Sequence, residues 1–269
     1  MLSDARARLH SAGSRALGAL GYELRRSESL AQADISPDQR ALYARVGPYT
    51  QTSLERVVAL ADAVEYVVRR DIPGDFIECG VWRGGSSMAV ALTLMRLGVS
   101  DRRLWLYDTF GTMPPAGEHD RDYAGRPLTP GALDPVNNAS QTSGLTLPEV
   151  QTALATTGYP PERVIYVEGL VEETIPSSAP ERIALLRLDT DWYESTRHEL
   201  AELYPRLERG GVLLIDDYGH FAGARKAVDE YFATEPILLS RIDYTGRLAV
   251  KVSARRSSSQ ARWHAPSPF

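Results

Sequence analysis

Short apolar runs that alternate with amphipathic stretches narrow the fold more than any other feature of this chain. Asp75–Cys79, Arg103–Tyr107, Arg163–Val167, Ile183–Leu188 and Gly211–Ile215 have the length and aliphatic content of strands. Between them the period changes to that of a helix. Leu54, Val57, Val58, Ala61, Val64 and Val68 recur on one face from Ser53 until Asp71–Gly74 interrupts, and further helices are predicted over Ser86–Leu97, Tyr193–Glu208 and Ala222–Ala233. Ile237–Ile242 and Arg247–Val252 read as a closing antiparallel hairpin around Tyr244–Gly246. Such alternation specifies an α/β fold, a mostly parallel sheet with helices on both faces. Ligands bind these sheets beyond the carboxyl ends of the strands, so chemistry is expected just after Cys79, Tyr107, Val167, Leu188 and Ile215.

Composition removes several classes. The chain has 269 residues, 43% apolar and 24% charged, which excludes wholesale disorder. A single cysteine, Cys79, rules out an internal disulfide framework, and with only five histidines it leaves no tetrahedral zinc cluster. A net charge of -5 speaks against a nucleic-acid partner. With neither a membrane span nor a secretory signal in the sequence, a cytoplasmic protein is expected. The first ~26 residues mix leucines with arginines and read as a packing or oligomerisation arm, from which a homo-oligomer is expected. The tail from Ala254 reads as unstructured. Gly111–Pro148 holds six prolines and five glycines in 38 residues, too long for an ordinary connection, and is expected to form a mobile lid over the acceptor.

After the first strand come Glu78, Cys79, Gly80, Val81, Trp82, Arg83, Gly84, Gly85 and Ser86. Gly80 allows a tight turn, and Gly84 and Gly85 would let backbone approach a ligand at a helix N-terminus. The glycines fall four and five after the first, which is not the dinucleotide spacing. Glu78 would repel a pyrophosphate but can accept from an ammonium, as in the amino-acid part of S-adenosylmethionine. The second strand leads into Asp108, placed where a ribose would lie. Together the two acidic strand ends point to a nucleoside bound without phosphates.

Asp189 and Asp191 follow the fourth strand, and Asp216 and Asp217 follow the fifth. Four converging carboxylates repel one another unless a cation or a proton is present. Oxygen-only ligands select a hard ion, Mg²⁺ or Ca²⁺, with Mn²⁺ as a further choice. The alternative is that some of them cap helices or pair with Arg187 and Arg197. Methyl transfer from a sulfonium to an alcohol needs the alcohol proton removed, and one carboxylate of the cluster can take it. His119 and His220 are further bases, whereas His198 reads as a packing residue.

The segments PGDFIECGVWRGGS (73–86), LYDTF (106–110), LLRLDTDWYEST (185–196) and GGVLLIDDYGHFAGARKAVDEY (210–231) resemble the macrocin O-methyltransferase family, over about residues 48 to 252. The resemblance implies a Rossmann-like class I methyltransferase domain at 48–252 with a seven-stranded, mostly parallel sheet, an arm at 1–47 and a tail at 253–269. It further implies a metal-dependent reaction on a sugar hydroxyl of a glycosylated natural product or an envelope saccharide. By it Glu78, Gly80, Trp82, Arg83, Gly84, Gly85 and Ser86 surround the methionine portion, and Asp108 and Phe110 lie near ribose and adenine. Asp189, Asp216 and Asp217 match metal ligands and Asp191 the general base. Thr50 matches a cofactor contact, although Gln51 stands where the family often has methionine. A catechol-type phenolic methyltransferase and a non-catalytic S-adenosylmethionine-binding module are the rival readings.

Overall fold

A computed structural model of the chain describes residues 34–111, 113–128 and 146–253. The chain divides into two compact units, Met1–Arg40 and Ala41–Phe269. In the first, Ser36 and Gln39 cap each other: Gln39 N donates to Ser36 Oγ at 3.2 Å and Ser36 N to Gln39 Oε1 at 2.9 Å, opening helix α1 (Pro37–Val46). The rest of the expected arm and the expected tail lie outside the described residues.

The second unit is built on seven strands: β1 (Asp75–Cys79), β2 (Leu104–Asp108), β3 (Val164–Glu168), β4 (Ile183–Leu188), β5 (Leu207–Ile215), β6 (Ser240–Arg241) and β7 (Arg247–Val250). Their order is β3-β2-β1-β4-β5-β7-β6, parallel except for β7, which runs antiparallel to β5 and β6. The seven-stranded, mostly parallel sheet is thus as expected. The helices are α2 (Leu54–Arg69), α3 (Gly85–Arg96), α4 (Leu147–Ala155), α5 (Val171–Thr174), α6 (Tyr193–Leu203) and α7 (Ala222–Tyr231).

Both faces of the sheet are buried because successive strand residues point to opposite sides. Phe76, Leu104, Leu106 and Leu185 pack with Leu60 and Val64 of α2 and Leu94 of α3. Their strand neighbours Ile77, Tyr107 and Leu186 pack on the other face with Leu200 and Leu203 of α6 and Val228 of α7. Each buried Leu or Ile contributes about 1.5–3 kcal/mol, so this two-sided core fixes the strand register. That register aligns Cys79 with Tyr107 and with Leu188, and Leu188 with Ile215. Gly80, Asp108, Asp189 and Asp216, one residue further on, therefore emerge at one level. The sheet reverses direction of winding between β1 and β4, where such folds open a ligand crevice.

Several boundaries differ from expectation. The helix predicted to Glu208 ends at Leu203, because Pro205 enforces a 3₁₀ turn over Tyr204–Arg206, and β5 begins at Leu207 rather than Gly211. The strand pairs on through Gly210, whose N donates to Lys251 O at 2.7 Å. Only Ser240–Arg241 of the predicted Ile237–Ile242 pairs with β7. The insertion stops earlier than Pro148, since Thr146 and Glu149 form a capping box that starts α4 at Leu147. Its described part, 113–128, is docked on α6 and α7. Trp192 Nε1 donates to Pro114 O at 2.9 Å, Tyr193 N donates to Asp120 Oδ1 at 2.8 Å, and Met113, Ala116 and Leu128 pack on Trp192, Phe221 and Ala224.

Candidate active site

On the β1–β2 side, Asp108 organises the glycine turn. Its Oδ2 accepts from Val81 N at 2.7 Å and Trp82 N at 2.9 Å, and its Oδ1 from Phe110 N at 2.8 Å. Gly80 has φ +83°, and a Cβ there would lie 1.9 Å from Asp189 O, so β4 approaches β1 as closely as glycine alone permits. Gly84 and Gly85 let neighbouring segments pack close: added Cβ atoms would meet Leu154 Cδ2 at 2.9 Å and Tyr49 O at 2.5 Å. Glu78 is buried, accepts from Ser87 Oγ and pairs with Arg187 Nη1 at 2.7 Å. Burial raises its pKa despite those two partners.

The second group lies beyond β4 and β5. Carboxylate oxygens of Asp189, Asp191 and Asp217 fall within 4.8 Å of one another. Asp216 takes a different place. Its Oδ1 accepts from Arg187 Nη2 at 2.7 Å, and its Oδ2 from Arg56 Nη1 and from Thr52 Oγ1 at 3.1 Å. Arg187, buried within the sheet, also reaches Asp189 Oδ2 at 2.7 Å and so ties together the ends of β1, β4 and β5. Burial opposes its charge, but Asp189, Asp216 and Glu78 outweigh that and keep it protonated. Arg197 pairs with Glu194 at 3.0 Å. Burial pushes the Asp191 carboxyl up to about 7, and the repulsion of Asp189 and Asp216 adds to it. Asp189 and Asp217 are raised as well, first by burial and then by their carboxylate neighbours, with Arg187 opposing the rise at Asp189.

One cavity of about 1110 Å³ joins the two groups, above the ~300–1,000 Å³ of an ordinary ligand pocket. Of the residues predicted from sequence, Thr50, Glu78, Gly80, Trp82, Ser86 and Asp108 line it together with Asp189, Asp191, Asp216 and Asp217. Arg83, Gly84, Gly85 and Phe110 do not. Arg83 lies over the Trp82 ring at 4.6 Å, and Phe110 is buried edge-on to Tyr166 in the core. His119 is likewise outside the lining; its ring packs against Tyr193 at 4.5 Å, and Nε2 sits 3.5 Å from Glu118. His220 does line the cavity, with Nδ1 3.3 Å from Tyr244 Oη. His198, as expected, is a packing residue, with Nε2 2.9 Å from Ile175 O. Arg56, Thr52 and Asp120 escaped sequence reasoning, because each acts through a partner more than 70 residues away.

A seven-stranded sheet in this order, with an acid-held glycine turn at its switch point, defines a class I methyltransferase fold. The macrocin O-methyltransferase family model matches residues 17–249, and the chain belongs to that family. It is an S-adenosylmethionine-dependent O-methyltransferase. It is 35% identical over 205 residues, 74% of either chain, to the 8-demethyl-8-(2,3-dimethoxy-alpha-L-rhamnosyl)-tetracenomycin-C 4'-O-methyltransferase of Streptomyces olivaceus. It is 33% identical over 183 residues to the mycinamicin III 3''-O-methyltransferase of Micromonospora griseorubida, covering 68% of this chain and 70% of that one. Among solved structures, the O-methyltransferase NovP superposes with a TM-score of 0.66 at 29% identity, over 76% of this chain and 83% of that one. Among the described residues, no helix is long and apolar enough to cross a membrane.

Proposed function

We propose that the enzyme methylates a sugar hydroxyl and uses a divalent cation, Mg²⁺ in preference to Mn²⁺ or Ca²⁺, held at the carboxylate cluster. One observation carries this reading: the Asp189, Asp191 and Asp217 carboxylates open onto the same cavity as the glycine turn and Asp108. Two relatives carry names that specify methylation at 4' and at 3'', which supports a sugar acceptor.

The cavity wall suits S-adenosylmethionine. Trp82 Nε1 is buried without a hydrogen-bond partner and can donate to the cofactor's carboxylate. Glu78, Gly80, Ser86 and Thr50 would surround the methionine part. Asp108 keeps lone pairs for ribose hydroxyls beyond the three N–H groups it accepts. The all-oxygen donor set of the cluster suits a hard cation. Asp189 and Asp217 would hold it, and Asp216 would join them on giving up a guanidinium contact. A bound cation would lower the pKa of the acceptor hydroxyl and fix its approach. Asp191, its carboxyl poised near neutrality, would take the acceptor hydroxyl's proton, while S-adenosylmethionine would supply the methyl group and leave as S-adenosylhomocysteine. Trp192 and the docked 113–128 segment wall the acceptor end from water.

The test is methyl transfer to a panel of deoxysugar glycosides and catechols, with and without chelator. Turnover of glycosides, abolished by chelation and restored by Mg²⁺, is the expected result. Turnover of catechols alone would reject the sugar acceptor, and a rate indifferent to chelation would reject the cation.

A further inference from the structure

Asp191 has φ +68°, a left-handed conformation that a non-glycine residue keeps only where its surroundings impose it. Trp192 N donates to Thr190 O at 2.8 Å, so Thr190, Asp191 and Trp192 form a γ-turn with Asp191 at its centre, the strained hand of that turn. Asp191 N donates to Asp217 Oδ2 at 3.2 Å, which secures one side of it. The other side is secured from within the protein: Thr190 Oγ1 donates to Glu199 Oε1 at 3.0 Å.

Glu199 stands on α6 and is 0% exposed. Besides Thr190 it contacts the buried Cys79 thiol at the end of β1, and it lines no part of the cavity. Burial pushes its carboxyl well above the usual range, and Oε1 serves as the acceptor for Thr190. A buried carboxyl is costly where a leucine would pack, as Leu200 and Leu203 do on the same helix. Its hydrogen bond at 3.0 Å falls on Thr190, the residue preceding the proposed base.

We infer that Glu199 is a positioning residue: through Thr190 it holds the γ-turn that aims the Asp191 carboxylate at the acceptor hydroxyl. The inference rests on the reading of Asp191 as the base. A Gln at 199 keeps the carbonyl acceptor. A Leu fills similar volume and leaves the Thr190 hydroxyl unpaired.

The experiment compares Glu199→Gln, Glu199→Leu, Thr190→Val and the Leu/Val double variant in the full chain. Two readouts are taken: hydrogen exchange at the Trp192 amide, which the γ-turn protects, and kcat and KM with a deoxysugar glycoside that the wild type methylates. Glu199→Leu and Thr190→Val should each lower Trp192 protection by ~10-fold or more, with strand amides unchanged. Each should lower kcat by roughly 10–100-fold, with the KM for S-adenosylmethionine unmoved. Glu199→Gln should retain both properties, and the double variant should be no worse than either single. Should Glu199→Leu fail to fold, Thr190→Val against the wild type carries the same comparison. Unchanged Trp192 protection, a Gln variant as impaired as Leu, or additive losses in the double variant would overturn the inference. If the wild type methylates no acceptor, the assignment of Asp191 falls, while Trp192 exchange still decides whether Glu199 holds the turn.

Discussion

The two halves of the cleft satisfy their carboxylates in opposite ways. Beyond β1 and β2, Asp108 spends its charge on three backbone N–H groups, and the turn it shapes is complete in itself. Beyond β4 and β5, Asp189, Asp191 and Asp217 face one another, and among the described residues only Asp189 touches a guanidinium, that of Arg187. The first half is a rigid cradle whose shape backbone hydrogen bonding determines. The second holds more negative charge than its arginines neutralise, and a proton or a cation must make up the difference. Shape recognition and charge chemistry thus occupy separate strand ends of one sheet, with Arg187 coupling them through Glu78.

Breaking that coupling should have the largest effect. Arg187→Met removes the common partner of three buried or half-buried carboxylates. A loss of about 3–5 kcal/mol is expected from stranding such charges. Denaturant unfolding at neutral pH would show it, and a loss below 1 kcal/mol would mean the carboxylates find other partners. Next comes the proposed base. Asp191→Asn should lower single-turnover methyl transfer by on the order of 10²-fold, with cofactor and Mg²⁺ affinity retained. Titration of Mg²⁺ alongside the rate separates the roles: lost metal affinity would make Asp191 a ligand, and a wild-type rate would move the base to His220.

The cradle was more legible in the sequence than the cluster. Strand period and the spacing from Glu78 to Ser86 are local, so the sheet, the turn and Asp108 followed from short-range pattern. The four acidic strand ends were equally visible, but their division was not. Asp216 turns away from its neighbours because Arg56 and Thr52, 160 and 164 residues earlier, reach it through the fold. The early end of the insertion was legible and passed over, since Thr146, Pro148 and Glu149 carry a helix-start signal that the proline count obscured. The glycines at 84 and 85 show the converse. Their pattern suggested a ligand, whereas the space they leave is filled by Leu154 and the Tyr49 carbonyl.

That last point yields a smaller effect. Gly84 has φ +86°, and an added Cβ would lie 2.9 Å from Leu154 Cδ2, a flexible side-chain end. Gly84→Ala should therefore destabilise the fold by about 1–2 kcal/mol, the cost of left-handed backbone for an L-residue, and leave cofactor affinity unchanged. Calorimetric titration of S-adenosylhomocysteine checks this, and a tenfold loss of affinity would return Gly84 to the ligand.

The smallest effect sets pH against metal in the cluster. Burial holds Asp191 near 7 in the folded chain, against roughly 4 when unfolded. Folding therefore takes up a proton between these values. The stabilisation tied to that proton is fully present below about 4, is lost as pH rises toward 7, and changes no further above it. Asp189 and Asp217 are raised as well and act in the same direction. A cation competes with these protons, so Mg²⁺ should bind more tightly at pH 8 than at pH 5.5. At a concentration ten times its Kd, Mg²⁺ adds about 1.4 kcal/mol, an increase in Tm of a few degrees in a chain of this size. Thermal unfolding with and without Mg²⁺ at the two pH values measures it. The Tm increase should be larger at pH 8. Asp217→Asn should remove the increase, and Asp108→Asn, on the cradle side, should preserve it. Equal increases at both pH values would show that cation and protons occupy different groups, and the charge deficit assigned to this half of the cleft would then have to be met elsewhere.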